Sequence, residues 1–481
     1  MPTAINNNIA GVHKKEWQQM NPLPVTTNLS GSNIISDQRG VYDYFLTIVG
    51  TTTAILSTYS QDSSITLPSP ALSAFGVGAC GELARWSNSI TATGGSTTTV
   101  TTTAAITGIC KGRIIRFATG TAANIGIDRV ITDVVINLGG TSTITFAALP
   151  SAVVNTDTFR IDTGLFYIMG NGAASSGVFR SYDPLTGVYT TLAFTGLPTT
   201  SQECRLIATP SNDVFASGTA TAGGASTITN SAKTWTVNQW TNYQIRIIAG
   251  TGIGQVRTIA SNTATVITTS SAWTTNPDAT SQYEIAGNDD FLYLLGNNAI
   301  TMYRYSISAN TWTTMSPTVA RAGAAPSQGI SANWIGKTGD ANWANESNIQ
   351  DGRYIYSFKG TAIFNQMERF DIAGGTAGAG SWATLNLSGT AEPSTNTQSG
   401  SCAVVYNNLI IYKLGVTNRY ISLDVVTGFT APLTTNIFPD GSGLQGHRMA
   451  IKKYQESGVD KLVWLYSQRP ANTELFRILL Y

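Results

Sequence analysis

The chain has 481 residues, ample for a large core, yet only 11% of them are charged and the net charge is +1. Such a balance argues against the basic face that a nucleic-acid binder needs to release counterions, and against attachment to anionic membranes. No run approaches the roughly 18 apolar residues of a membrane span, and the opening MPTAINNNIAGVHKKEW stretch lacks the apolar core of a secretion signal.

The first recognisable element is Trp17-Gln18-Gln19-Met20, an aromatic followed three residues later by Met. The same tetrad returns as Tyr189-Thr190-Thr191-Leu192, Trp312-Thr313-Thr314-Met315 and Trp382-Ala383-Thr384-Leu385. Spacing on the scale of one small sheet marks a repeat architecture. Ahead of these tetrads lie apolar runs, most of them closed by glycine. They are 44–50, 165–170, 291–296, 354–360, 409–415 and 462–466. Runs of this length, rich in aromatic and β-branched residues, predict six buried strands. Between run and tetrad comes a strand with Arg beside an aromatic or aliphatic residue: Arg180, Arg304, Arg369, Arg419 and Arg477. These arginines are expected to brace aromatics by cation–π stacking. A small-residue stretch before each run, such as 401–406, supplies a further strand.

Four short antiparallel strands per unit, in six units, predict a six-bladed β-propeller. The last unit runs out of chain before its fourth strand, and the segment from Trp17 to Leu23 has no unit before it. That N-terminal strand is therefore expected to complete the last blade and close the ring, removing an exposed edge.

These features resemble the kelch-type propellers, whose blades carry a glycine-ended hydrophobic strand, an aromatic-Asp pair and an outer-strand Trp. The likeness covers about residues 12 to 88, 163 to 218 and 287 to 481. It implies an all-β, kelch-like fold and says little about function. The pattern departs in the first blade, where Ser64-Ile65-Thr66-Leu67 replaces the tetrad, and in the fifth, where Pro432 interrupts the outer strand.

The glycines that end the buried strands fall much farther apart from Gly50 to Gly170 and from Gly170 to Gly296 than from Gly296 to Gly360. The two extra stretches align with each other. Ala92-Thr93-Gly94-Gly95 matches Thr221-Ala222-Gly223-Gly224, and the strand at 112–117 matches 243–248. Asp128-Arg129-Val130-Ile131 then matches Gln255-Val256-Arg257-Thr258-Ile259, and Thr158-Phe159-Arg160-Ile161 matches Gln282-Tyr283-Glu284-Ile285. Each predicts a small β-barrel-like domain of about five strands inserted in the propeller. The expected division is propeller 1–88, insert 89–162, propeller 163–218, insert 219–286 and propeller 287–481. Both inserts fall between the first and second strands of adjacent blades, so they should stand side by side on one face. The second, with its Gly250 to Gln255 turn and Trp273, resembles small β-domains of tailed-phage virion proteins.

Chemistry-bearing residues are sparse. His13 and His447 are not spaced as a pair, and no set of three or four ligands converges, so neither a metal site nor a cofactor is expected. Cys80, Cys110, Cys204 and Cys402 lie far apart and read as free thiols of a chain made in a reducing cytoplasm. Gly250 to Gly254 lies between two strands, not before a helix, so it predicts a β-turn and not a nucleotide loop. The arginine repeat invites a comparison with sialidase-like propellers, but it sits in the third strand from the axis and lacks the Asp-box pattern. Trp235, Trp240 and Trp273 are expected in the core of the second insert. The loop carrying Asn333, Trp334, Trp343 and Asn345 is a candidate ligand or partner surface, since exposed Trp with Asn nearby stacks on sugar rings and bonds hydroxyls. Against this, Trp334 also reads as the end of a strand, packed within a blade.

Composition and resemblance together imply a structural, non-enzymatic component of a tailed-phage virion, in the tail, neck or nozzle. It would be made in the host cytoplasm and dock with other virion proteins in a multi-copy homo-oligomeric ring. The alternative is a carbohydrate-binding adhesin or tail-fibre component that attaches to a host surface glycan. An enzyme on a propeller ranks last.

Overall fold

The computed structural model describes residues 18–19, 33–36, 45–49, 55–60, 63–66, 80–103, 106, 110–169, 179–183, 185–192, 205–208, 214–295, 300–321, 332–334, 354–358, 366–375, 379–389, 402–406, 409–413, 420–424, 428–433, 448–456, 459–468 and 474–480. The described elements are all β. Six sheets of four or five strands follow one another along the chain. The third is typical, with Arg205–Ala208, Phe291–Leu295, Met302–Ser306 and Thr311–Thr314 paired antiparallel in that order. The fourth repeats it with Ala332–Trp334, Tyr354–Phe358, Gln366–Asp371 and Ser381–Asn386. Each sheet's first strand touches the first strands of two other sheets, and these contacts form a closed cycle. The arrangement is propeller-like.

Alternation within the buried strands explains why they are apolar throughout. Successive side chains point to opposite faces. Leu292 and Leu294 pack into a core shared with Leu165, Tyr167 and Met169 of the second sheet. Tyr293 and Leu295 pack the other way, against Ile355 and Phe370 of the fourth. A strand buried on both faces has no polar side to show. Trp312 fills the core between the second and third sheets, and Trp382 that between the third and fourth. Three of the strand arginines do brace aromatics: Arg304 over Phe291 at 4.2 Å, Arg369 over Tyr354 at 4.6 Å and Arg477 over Trp464 at 4.4 Å.

The last sheet holds Arg448–Glu456, Val459–Gln468 and Leu475–Leu479, and its fourth strand is Gln18–Gln19 from the other end of the chain. Gln18 pairs with Arg477 and Gln19 with Phe476. In the fifth sheet the proline-bearing strand Phe429–Pro432 gains a parallel neighbour, Ser388–Gly389.

Two further sheets interrupt this series. The chain leaves the second sheet after Cys80–Ala84 and returns at Leu165–Met169, which pairs with it. Between them lies a closed six-stranded barrel, here the first module (90–161). Its core includes Phe117, Phe146 and Phe159. The second module (214–286) is a seven-stranded sheet. It keeps the barrel's strand order, but the work of Ile90–Gly95 is divided between Val214–Thr219 and Ala222–Gly224. Trp240 and Trp273 are buried in its core, with Trp235 packed against it.

One strand differs from the sequence reading. The expected division puts residues 214–217 in the propeller, at the end of the stretch 163–218. They instead pair with Gln282–Ala286, through Ala216 opposite Ile285, and Arg205–Ala208 takes the propeller position. Both stretches are short and apolar, so only their cross-strand partners separate them.

Candidate functional site: the cleft between the two modules

The modules meet through equivalent parts. Ile125-Gly126 of the first and Ile253-Gly254 of the second occupy matching turns, and the two turns touch backbone to backbone. A Cβ on Gly254 would lie 1.8 Å from the Ile125 carbonyl oxygen, and one on Gly126 would lie 2.5 Å from that of Gly254. Both glycines also have positive φ, 76° and 84°. Any side chain here would force the modules apart. Ile253 reaches across to pack on the first module's core.

Beside this contact runs a chain of alternating charges. Arg116 donates from Nε and Nη2 to the two oxygens of Asp128, at 2.5 and 2.8 Å. Arg246, in the matching place of the second module, donates to the same carboxylate at 2.9 Å and to Glu284 at 2.6 Å. Two equivalent arginines thus share one carboxylate across the interface. Asp289 extends the chain, 3.7 Å from Arg116 and 3.9 Å from Arg85. It also accepts the indole N–H of Trp86. The guanidinium groups of Arg85 and Arg116 lie over the Trp86 ring at 4.3 and 4.4 Å. Burial alone would push the Asp128 carboxyl up, but the hydrogen bonds and charge of Arg116, with Arg246 and Arg85 beyond, hold it below the usual carboxylate range. Burial, and then the like charge of Arg116, push Arg85 down.

Internal braces are shared as well. Arg129 donates to Ala148 O from Nε and Nη2, and to its neighbour's carbonyl from Nη1. Arg257 does the same with Ala272 O, Thr274 Oγ1 and Val256 O. The pair is tied to the sheets beneath it. Asp183 of the second sheet accepts from the Asn88 and Leu185 backbone N–H groups. Asn242 of the second module donates to Ile372 O and accepts from Arg304.

Between the modules a cleft of about 540 Å³ opens, lined among others by Trp86, Arg116, Arg160, Gln244, Arg257 and Asp289. None of these was chosen from sequence as a site residue. The signal was the likeness of the two inserts, but matching 112–117 to 243–248 sets Arg116 one place out of step with Arg246, and the strand pairing is what makes the two equivalent. Of the residues that were chosen, Asn333 and Trp334 fall on Ala332–Trp334, opposite Tyr356 and Ile355. Trp343, Asn345, His13 and His447 lie outside the described residues. Gly250 to Gly254 is a turn between strands Gln244–Ala249 and Val256–Asn262. Cys110 is a buried free thiol, pushed up to about 11 by burial.

A scan against protein-family models gives no match, and neither does a search of curated proteins. Among solved structures the chain is similar to a triple arginine-to-alanine variant of AofleA from Arthrobotrys oligospora. The identity is 9% over 98% of this chain and 88% of that one, with a TM-score of 0.39. It is also similar to Sqt1 of Saccharomyces cerevisiae, at 8% identity over 96% and 99% of the two chains, TM-score 0.31. A luciferin-regenerating enzyme gives 9% identity over 96% and 95%, TM-score 0.32. Likenesses this distant carry nothing about activity, and the architecture stands on the sheet pairing itself.

Proposed function

We propose that this chain is a structural, protein-docking component of a tailed-phage virion, built as a six-bladed kelch-like propeller with two inserted β-barrel-like domains. The supporting observation is the fusion of the two modules, through Gly126, Gly254 and the shared Asp128, into one preformed platform anchored on adjacent sheets. A rigid platform loses little entropy when it binds, which suits repeated contacts in a multi-copy ring. The chain carries few charges, and the second module, with its Gly250 to Gln255 turn and Trp273, resembles small virion β-domains. The test is immunogold labelling of purified tailed-phage particles with antibody to the chain, alongside cryo-electron microscopy of the same particles. A ring of copies in the tail, neck or nozzle, with the module face against its neighbours, supports the proposal. Particles lacking the chain overturn it. Glycan-array binding lost with Trp334→Ala or Trp343→Ala would favour the carbohydrate-binding reading instead.

A further inference from the structure

We infer that the inter-module cleft is a binding site for a sugar-sized anion, a sugar acid or sugar phosphate, held by Arg160. This site is independent of the docking role proposed above. The inference begins with a mismatch between the modules. In the second, Arg246 stands directly opposite Glu284 and the two form an ion pair. In the first, the matching positions place Arg116 directly opposite Arg160. Like charges facing one another across a strand pair are destabilising. Arg116 is compensated by Asp128 and Asp289. Arg160 is not: no described residue accepts a hydrogen bond from it, and its Nε is buried. An uncompensated guanidinium that also lines a cleft is a place where stability has been given up for something else.

The remaining lining narrows the ligand. Arg257 is committed to Ala272, Val256 and Thr274, and Gln255 to Gly252, Thr274 and Thr275. The Gln244 amide and the Thr275 hydroxyl make no side-chain hydrogen bond to a described residue. The free groups are thus one planar cation and two neutral hydrogen-bonding groups. The cation suits a carboxylate or phosphate, which its fork grips with two parallel bonds. The neutral groups suit hydroxyls. A volume of about 540 Å³ exceeds what a bare anion needs and falls in the range of small-molecule pockets.

The test uses the full chain, with glucuronate, glucose 6-phosphate, glucose and inorganic phosphate as probes, in calorimetry and thermal melts at fixed ionic strength. We expect glucuronate or glucose 6-phosphate to bind with a Kd of about 1 mM or tighter, and glucose at least tenfold more weakly. Preference for glucuronate assigns a sugar acid, and preference for the phosphate assigns a sugar phosphate. Saturating anion should raise the melting temperature by about 2 °C. Arg160→Ala should weaken binding at least about tenfold, the loss of a charged hydrogen-bonding partner. Arg160→Glu should abolish both binding and the anion-dependent shift, while melting no lower than wild type without ligand. Lys111→Ala, on the exposed outer wall, should bind as wild type does. Neither anion binding at about ten times that concentration would overturn the inference. So would binding unchanged in Arg160→Ala, or an Arg160→Glu protein that melts well below wild type, which would make Arg160 a structural residue.

Discussion

The first and second modules share a strand order, an arginine brace and an interface turn, yet differ in closure and charge. In the first, Ile90–Gly95 spans the barrel unbroken, pairing with Thr158–Ile161 on one side and Thr99–Thr102 on the other. In the second, the same course is interrupted at Ala220-Thr221, and backbone bonds from these residues to Ser281 and Thr229 bridge the gap. The first puts Arg160 where the second has Glu284. The shared features are those that set how the barrel packs and how the modules meet. The differing ones are the course of one strand and the charge placed beside the cleft between the modules.

The comparison is broken most severely at the shared turn. Gly254→Ala must displace the backbone of Ile125 as well as adopt a positive φ, and should cost about 3–4 kcal/mol in chemical denaturation. Ala at Gly139, whose Cβ would meet nothing within 4 Å, should cost far less. A small loss at Gly254 would mean that the turns do not touch.

Asp128→Asn comes next. It removes the one carboxylate that both module arginines share, leaving Arg116 with the more distant Asp289 and Arg246 with Glu284 alone. The expected loss is about 2–3 kcal/mol, measured by denaturant unfolding. Glu284→Gln should cost less, because Arg246 keeps Asp128. Equal losses at the two sites would deny Asp128 its bridging place.

Acid should act on the same link. The Asp128 carboxyl is held low in the folded protein, so its stabilisation is fully present above the carboxylate pKa of the unfolded chain, about 3.9. It is lost as pH falls through the lower folded value. Wild type should therefore lose stability below about pH 4 more steeply than Asp128→Asn. Parallel pH profiles would contradict the linkage.

The smallest effects sharpen the likeness. Arg129→Ala and Arg257→Ala should each cost about 1–2 kcal/mol, and similar amounts, because each gives up its bonds to two backbone carbonyls, Ala148 and Asp128 in one case and Ala272 and Val256 in the other. A twofold disparity in their melting shifts would show that the braces are not equivalent.

Much of the propeller-like body was legible in the sequence. Strands buried on both faces leave continuous apolar runs, and Trp312 and Trp382 recur because each fills the gap against the preceding sheet. The pairing of the Trp17 segment with the last strand followed from counting strands. The edge of the second module was not legible, since 205–208 and 214–217 carry the same short apolar signal. The cleft was hidden for another reason. Arg116, Asp128 and Arg246 look like ordinary surface charges along alternating strands, and only the contact of two turns turns them into a network. The Asn333 to Asn345 loop drew attention through its aromatics. Sequence cannot tell a Trp that ends a strand from one that meets a ligand, and only Asn333 and Trp334 of that group lie on described backbone.

The central claim, that the two modules form one rigid platform, can be measured as a distance. Leu138 and Val237 are exposed, one on each module. Spin labels at Leu138→Cys and Val237→Cys, with the native cysteines changed to alanine, would report the separation by pulsed dipolar spectroscopy. The account predicts a single narrow distribution in the native protein, broadened by Asp128→Asn. A broad or two-peaked distribution in the otherwise native protein would contradict it.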